Sequence, residues 1–250
     1  MSLIPKLPWF LMAIGFSTGS VALGDFDAAL QILQDQDIQA VELSALREDE
    51  LYPLFYAMND LDLKKYNYVS VHAPGKRNRF GESEMAEILK AFAEKTWPVI
   101  VHPDIISDFS LWRGLGDKLC IENMDKRKPC GRTVTDLKKI FQELPEAGFC
   151  LDVAHAKQVD PTMTECYLMI KEFKDKLVQL HLSDVTTESR HVPLNEQAIT
   201  AYQKIVKYLP ESIPVILESP ILYSIDQKEK IAVEITLATE IFQSNPTMTY

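Results

Sequence analysis

Residues Gly148–His155 read Gly-Phe-Cys-Leu-Asp-Val-Ala-His. An apolar run of strand length leads into a carboxylate, Asp152, and an imidazole follows three positions later at His155. Outward from this stretch the same event recurs. Val-His-Ala-Pro carries His72, Val-His-Pro carries His102, Ile-Glu-Asn carries Glu122, Leu-His-Leu-Ser-Asp carries His181, and Leu-Glu-Ser-Pro carries Glu218. Six apolar runs thus end in a side chain able to ligate a metal. Short continuous apolar runs bounded by turn residues are the pattern of strands buried on both faces, as in a parallel sheet.

Helix-like segments separate the runs. Strands are expected at Leu11–Phe16, Ile38–Leu43, Tyr68–His72, Pro98–His102, Lys118–Glu122, Gly148–Asp152, Leu177–His181 and Pro214–Glu218. Helices are expected at Asp25–Gln36 (with Asp25 as its cap), Glu48–Asn59, Ser83–Lys95, a short one around Ser107–Gly114, Thr133–Leu144, Pro161–Phe173, Asn195–Leu209 and Asp226–Phe242. No linker or low-complexity tract interrupts them. Eight such units predict an α/β fold, a (β/α)8 TIM barrel forming a single domain over residues 1–250. The competing doubly wound open sheet lacks a Gly-x-Gly-x-x-Gly or phosphate-loop sequence after its first strand. In a barrel the C-terminal ends of all strands open on one mouth, so side chains distant in sequence become neighbours.

The 46% hydrophobic and 25% charged fractions are those of a globular chain that buries a large core. The formal net charge of −10 argues against a protein that coats nucleic acid, which usually carries a basic field. Cys120, Cys130, Cys150 and Cys166 show no CxxC spacing, and two of them lie in strand-like runs, as buried reduced thiols in a cytoplasmic protein would. Lys6 followed by Trp9–Phe16 has the shape of a short signal-peptide core. The first-strand reading is preferred, because removing it leaves the alternation one strand short. No run approaches the ~18 apolar residues of a membrane span.

All five histidines, His72, His102, His155, His181 and His191, fall at or just beyond an expected strand end. Glu122 and Glu218 end apolar runs, where an unpaired carboxylate costs several kcal/mol unless a cation or donor compensates it. A metal shared among Glu122, Asp152, His181 and Glu218 satisfies all four groups at once; salt bridges to nearby Lys or Arg are the alternative. Mixed imidazole and carboxylate donors suit a divalent Zn, Mn, Fe or Co ion better than Ca. Lys76, Arg77, Arg79, Lys126, Arg127, Lys128, Arg132, Lys157 and Arg190 follow strand ends and would ring the mouth, as solvated loop charges or as a rim for phosphate or carboxylate groups. Glu42, ending the second strand, is a candidate to bond a substrate hydroxyl, or a surface carboxylate.

The order of these motifs, with Arg-His-x-Pro-Leu at His191, resembles the xylose isomerase-like barrel superfamily, which holds sugar isomerases and epimerases as well as endonuclease IV. The resemblance covers nearly the whole chain. It implies a shared metal set of Glu122, Asp152, His181 and Glu218, with His72 and His102 at a second position bridged by Glu122. His155 and His191 match part of a third, giving one to three divalent ions per chain. Two departures stand out: Ser189 replaces an expected Asp, and Asn195 an often-present Gly. The leading activity it implies is isomerisation or epimerisation of a sugar, sugar phosphate or related polyol through an enediolate. Glu122 and Glu218 would then exchange the proton on carbon, with His155, Arg190, Lys76, Lys126 and Glu42 as candidate substrate contacts and Asp184 orienting a ligand from behind. The alternative is an endonuclease IV-like metal-dependent phosphoesterase, and a third possibility is a barrel that binds a ligand without turnover. The expected partner is a small polyhydroxylated molecule, anionic if the basic rim is functional. Homo-oligomers are compatible with all of these readings.

Overall fold

The computed structural model describes residues 12–210, 212–222 and 225–243. Its barrel strands are β1 (Ile14–Ser17), β2 (Ala40–Ser44), β3 (Tyr68–His72), β4 (Val99–Val101), β5 (Leu119–Glu122), β6 (Gly148–Asp152), β7 (Leu177–Leu182) and β10 (Val215–Leu217). They close into a parallel barrel in the order β1-β10-β7-β6-β5-β4-β3-β2. The third and sixth strands match the sequence reading at both ends. The first begins at Ile14 rather than Leu11, and Trp9–Leu11 lie outside the described residues. A small antiparallel hairpin, β8 (Asp184–Val185) and β9 (His191–Val192), stands on the mouth after β7 and has no counterpart in the sequence reading.

Successive side chains on a strand point to opposite faces, so residues two apart share one. Ile100, Cys120 and Cys150 form a buried apolar cluster with Val178. Two residues further toward the mouth stand His102, Glu122 and Asp152; Gln179 and His181 repeat this relation on β7, as do Ser70 and His72 on β3. The floor of the barrel is therefore apolar on β4, β5 and β6 and carries buried Ser70 and Gln179 on β3 and β7, and the next layer toward the mouth is polar throughout these strands. The seam between β1 and β2 is tight, since a Cβ on Gly15 would sit 1.8 Å from the Ala40 carbonyl oxygen.

The helices are α1 (Thr18–Ala22), α2 (Phe26–Leu33), α3 (Glu48–Ala57), α4 (Glu82–Glu94), α5 (Phe109–Trp112), α6 (Val134–Glu143), α7 (Val153–Val159), α8 (Thr164–Phe173), α9 (Glu196–Val206) and α10 (Gln227–Gln243). Each longer helix buries an apolar stripe; in α4 it is Met85, Ala86, Ile88, Leu89 and Phe92, at helical spacing. Asp25 and Thr133 cap α2 and α6 through their side chains. The helix expected from Pro161 starts only at Thr164, because the Asp160 carboxylate takes the Thr162 and Glu165 amides at 3.0 and 2.9 Å and bends the chain into a turn. Among the described residues no helix is long and apolar enough to cross a membrane.

Candidate metal centre

Glu122 stands in the middle of the polar layer, 1% exposed. Its Oε2 lies 3.1 Å from His72 Nε2 and 3.2 Å from His102 Nε2. Its Oε1 lies 3.3 Å from His155 Nδ1 and 3.5 Å from His181 Nδ1. The His181 Nδ1 is also 3.5 Å from Glu218 Oε2, while His155 Nδ1 is 3.3 Å from Asp152 Oδ2. Four donor groups result among the described residues: Glu122, Asp152, His181 and Glu218; His72, His102 and Glu122; Asp152, His155 and His191; and Glu42, His72, His181 and Glu218, the last with a carboxylate not named as a ligand from the sequence. Within each, one ligand atom per residue lies within 4.8 Å of the others. All eight residues named as ligands from the sequence are thereby brought together. Ser189 is buried but gives its hydroxyl to Gln158 at 2.6 Å, so the third group has a single carboxylate.

The donor chemistry fits a cation. His72 Nδ1 lies 2.7 Å from the Ala73 carbonyl oxygen, which can only accept, so this nitrogen carries the proton. In a neutral ring Nε2 is then a lone pair aimed at the Glu122 oxygen, and two lone pairs at 3.1 Å require a proton or a metal between them. His181 Nε2 faces Glu42 Oε2 at 3.0 Å and the Gln179 amide nitrogen at 2.8 Å, and its Nδ1 is turned toward Glu122 and Glu218. Buried Asp152 Oδ2, His181 Nδ1, His102 Nδ1 and Glu42 Oε1 have no hydrogen-bond partner. Such orphans are rare in proteins unless an ion or water completes them.

Electrostatics tell the same story. Burial acts to raise the Glu122 carboxyl, but the charges of His102 and His181 outweigh it and hold it well below the usual range. Burial raises Glu218 most; His181 opposes, the carboxylates of Glu122, Asp152 and Glu42 add, and the result is about 8. Burial would depress His72 and His155, yet the Glu122 bond lifts the first to about 9, and the Asp152 charge with the Glu122 bond lifts the second to about 10. Without a cation the site recruits protons; a divalent ion would take their place.

The supporting shell explains why the ligands hold position. Glu42 is fully buried, which removes the surface alternative, and its Oε2 accepts from Ser70 Oγ at 3.2 Å and Gln179 Nε2 at 2.8 Å while facing His181. It does not line the mouth cavity. Asn123 donates to the Asp152 carbonyl and accepts from the Asp152 amide, both at 2.8 Å, locking the tips of β5 and β6. Asp152 caps α7 by accepting the His155 amide at 2.7 Å, so His155 stands in the first helical turn rather than in a loop. Asn195 caps α9 and donates to Asp184 at 2.6 Å. Asp184 also binds Lys157 at 2.7 Å, and among the described residues no hydrogen bond or ion pair joins it to a candidate ligand side chain. Asn123, Ser70 and Gln179 were not singled out in the sequence. The Asn that follows Glu at a strand end was the one visible signal.

Above the centre lies a cavity of about 360 Å³, with His72, His102, Glu122, His155, His191 and Glu218 in its lining. Of the basic residues, Arg127 and Lys128 line it, but Arg127 is paired with Asp125 at 3.0 Å and Lys128 with Asp104 at 2.7 Å. Lys126 and Arg190 are exposed and outside the lining, and Lys76 is exposed on the loop after β3.

Among curated proteins none matches this sequence. Solved structures that resemble it include endonuclease IV from Thermus thermophilus, 18% identical over 91% of this chain and 99% of that one, with a TM-score of 0.57. A 3-keto-D-glucoside 4-epimerase from E. coli is 13% identical over 90% and 99%, with a TM-score of 0.55. A xylose isomerase-like TIM barrel protein from Mycobacterium smegmatis, solved with magnesium, is 12% identical over 95% and 99%, with a TM-score of 0.58. At these identities the likeness is one of fold. The family model described as xylose isomerase-like TIM barrel matches residues 109–235, just over half of the sequence. This chain belongs to the xylose isomerase-like TIM barrel family.

Proposed function

We propose that the protein is a metal-dependent isomerase or epimerase of a sugar, sugar phosphate or related polyol, working by proton transfer at carbon through an enediolate. The observation that carries this is the convergence of Glu122, Asp152, His181 and Glu218, with ligand atoms within 4.8 Å of one another, beneath a cavity of small-molecule size. A divalent cation of the Zn, Mn, Fe or Co kind held by these four residues supplies Lewis acidity toward a carbonyl and its neighbouring hydroxyl.

The chain's own groups do the rest. Glu218 faces the cavity with its side chain 12% exposed, and among the described residues its Oε2 makes long contacts to His181 and His191, at 3.5 and 3.9 Å. It is the carboxylate free to hold and return a proton on a substrate carbon. Glu122 stands across from it as partner, with both oxygens already contacted by imidazoles. His155 and His191, both in the cavity lining, stand ready to orient substrate oxygens. The four free cysteines fit a reducing, cytoplasmic setting.

One observation favours a second reading, hydrolysis of a phosphoester. His72, His102 and Glu122 form a second donor group bridged to the first through Glu122, the arrangement a two-metal hydrolase needs. The discriminating experiment incubates the metal-loaded protein in deuterated water with a panel of aldoses, ketoses and their phosphates, beside an abasic-site oligonucleotide. Solvent deuterium entering a sugar carbon, lost in Glu218→Gln, supports the proposal. Cleavage of the oligonucleotide without exchange into any sugar contradicts it.

A further inference from the structure

A second, larger hollow of about 610 Å³ adjoins the cavity over the metal centre. The two share Leu46, Gly75, His102 and Lys128, so a ligand anchored in one can extend into the other. Its walls are the start of α3 and the loop after β3.

That loop is built rather than loose. The Glu48 carboxylate, 7% exposed, accepts the amides of Asn78 and Arg79 at 2.7 Å and of Phe80 at 3.2 Å. On the far side Glu82 accepts the Ser107 amide at 2.7 Å and Trp112 Nε1 at 2.8 Å, and holds Arg77 at 3.3 Å. Two carboxylates thus fix the segment that presents Lys76 and Arg79.

Four cationic side chains line the hollow: Arg47, Lys76, Arg79 and Lys128. Arg47 pairs with Glu50 at 2.6 Å and Lys128 with Asp104 at 2.7 Å. Lys76 and Arg79 are exposed and make no ion pair among the described residues. The facing acids are Glu48, taken up by backbone amides, and Asp49, which lies 3.9 Å from Arg47. Lys76 and Arg79 therefore stand, outside any ion pair among the described residues and with Glu48 within reach of the Arg79 charge, in a hollow that adjoins the candidate metal centre of a chain whose net charge is −10.

We propose that this hollow is a subsite for the phosphate monoester of a sugar phosphate whose reacting carbons lie over Glu218. This rests on the isomerase or epimerase reading and narrows its substrate class. A phosphate monoester carries close to two negative charges at neutral pH, which Lys76 and Arg79 complement. A nucleic acid backbone calls for a broad basic surface rather than two cations at one hollow.

The test is calorimetric titration of the full chain, as purified, with glucitol, glucitol 6-phosphate and inorganic phosphate. Glucitol 6-phosphate has no carbonyl, so binding is read without turnover. The expected result is that wild type binds the phosphate ester more tightly than glucitol. Lys76→Gln combined with Arg79→Gln should weaken the ester fivefold or more while leaving glucitol binding and the melting curve unchanged. A smaller loss, or a wild type that binds neither phosphate probe, overturns the proposal. So does binding of an abasic-site oligonucleotide that alone responds to the double substitution, which would assign the hollow to a phosphodiester. Deuterium exchange in Glu218→Gln reads the reaction independently, so either idea can fail without the other.

Discussion

A neutral imidazole has one donor nitrogen and one acceptor, and the centre is organised around which is which. Glu42 and Gln179 hold the Nε2 side of His181 and leave Nδ1 to face Glu122 and Glu218. Glu42→Gln removes the charge that fixes this orientation and should weaken divalent metal binding about 10–100-fold, as measured by chelator competition, without unfolding the chain. Asn123→Ala strands a buried amide and carbonyl of Asp152 and should cost about 1–3 kcal/mol in urea denaturation. A loss near zero would mean that water replaces the side chain. Six of the metal-capable residues were legible in the sequence because each ends an apolar run, and His155 and His191 because each falls just beyond an expected strand end. Gln179 and Ser70 were not, since an amide or hydroxyl inside a strand looks the same whether it faces a lumen network or a neighbouring helix.

At the scale of elements, loops that carry functional groups are anchored by buried carboxylates. Burial acts to raise Glu48, but the amides of Arg79, Asn78 and Phe80 outweigh it and hold the group below its ordinary 4.5. A depressed carboxyl contributes stability above its unfolded value and loses it as pH falls through the folded one. Hydrogen-exchange protection of Asn78, Arg79 and Phe80 should therefore persist at neutral pH and be lost as pH falls below the ordinary carboxylate range. In Glu48→Gln it should be weak at every pH. Strand packing gives another test: Gly15→Ala drives a Cβ into the Ala40 carbonyl and should cost about 1–3 kcal/mol or more, visible as a lower melting temperature. The barrel strands were readable because parallel strands buried on both faces are continuous apolar runs. The five-residue α1, the seven-residue α7 and the β8–β9 hairpin escaped because each is shorter than the window over which periodicity shows.

Across the whole molecule, closure of the barrel converts a sequence-long series of strand ends into one polar layer. That layer packs four carboxylates, Glu42, Glu122, Asp152 and Glu218, among the histidines of one mouth, a concentration of charge that needs a counterion when the rings are neutral. Fold and mouth were both legible from the alternation of eight units, and the strands close in chain order as such a barrel requires; the pairing of Arg127 and Lys128 with internal acids was not legible, because ion pairs across loops leave no periodic trace. Binding to the folded state alone stabilises it by about 2.7 kcal/mol at a hundredfold excess over Kd, so removing metal with a chelator should lower the melting temperature by about 5–10 °C. The most direct measurement is elemental analysis of the purified protein and of Glu122→Gln after dialysis against trace-metal buffer. Wild type should hold at least one divalent ion per chain tightly and the variant should lose it, since Glu122 is common to two donor groups. A wild-type chain without stoichiometric metal, or a variant that retains it in full, would contradict the account.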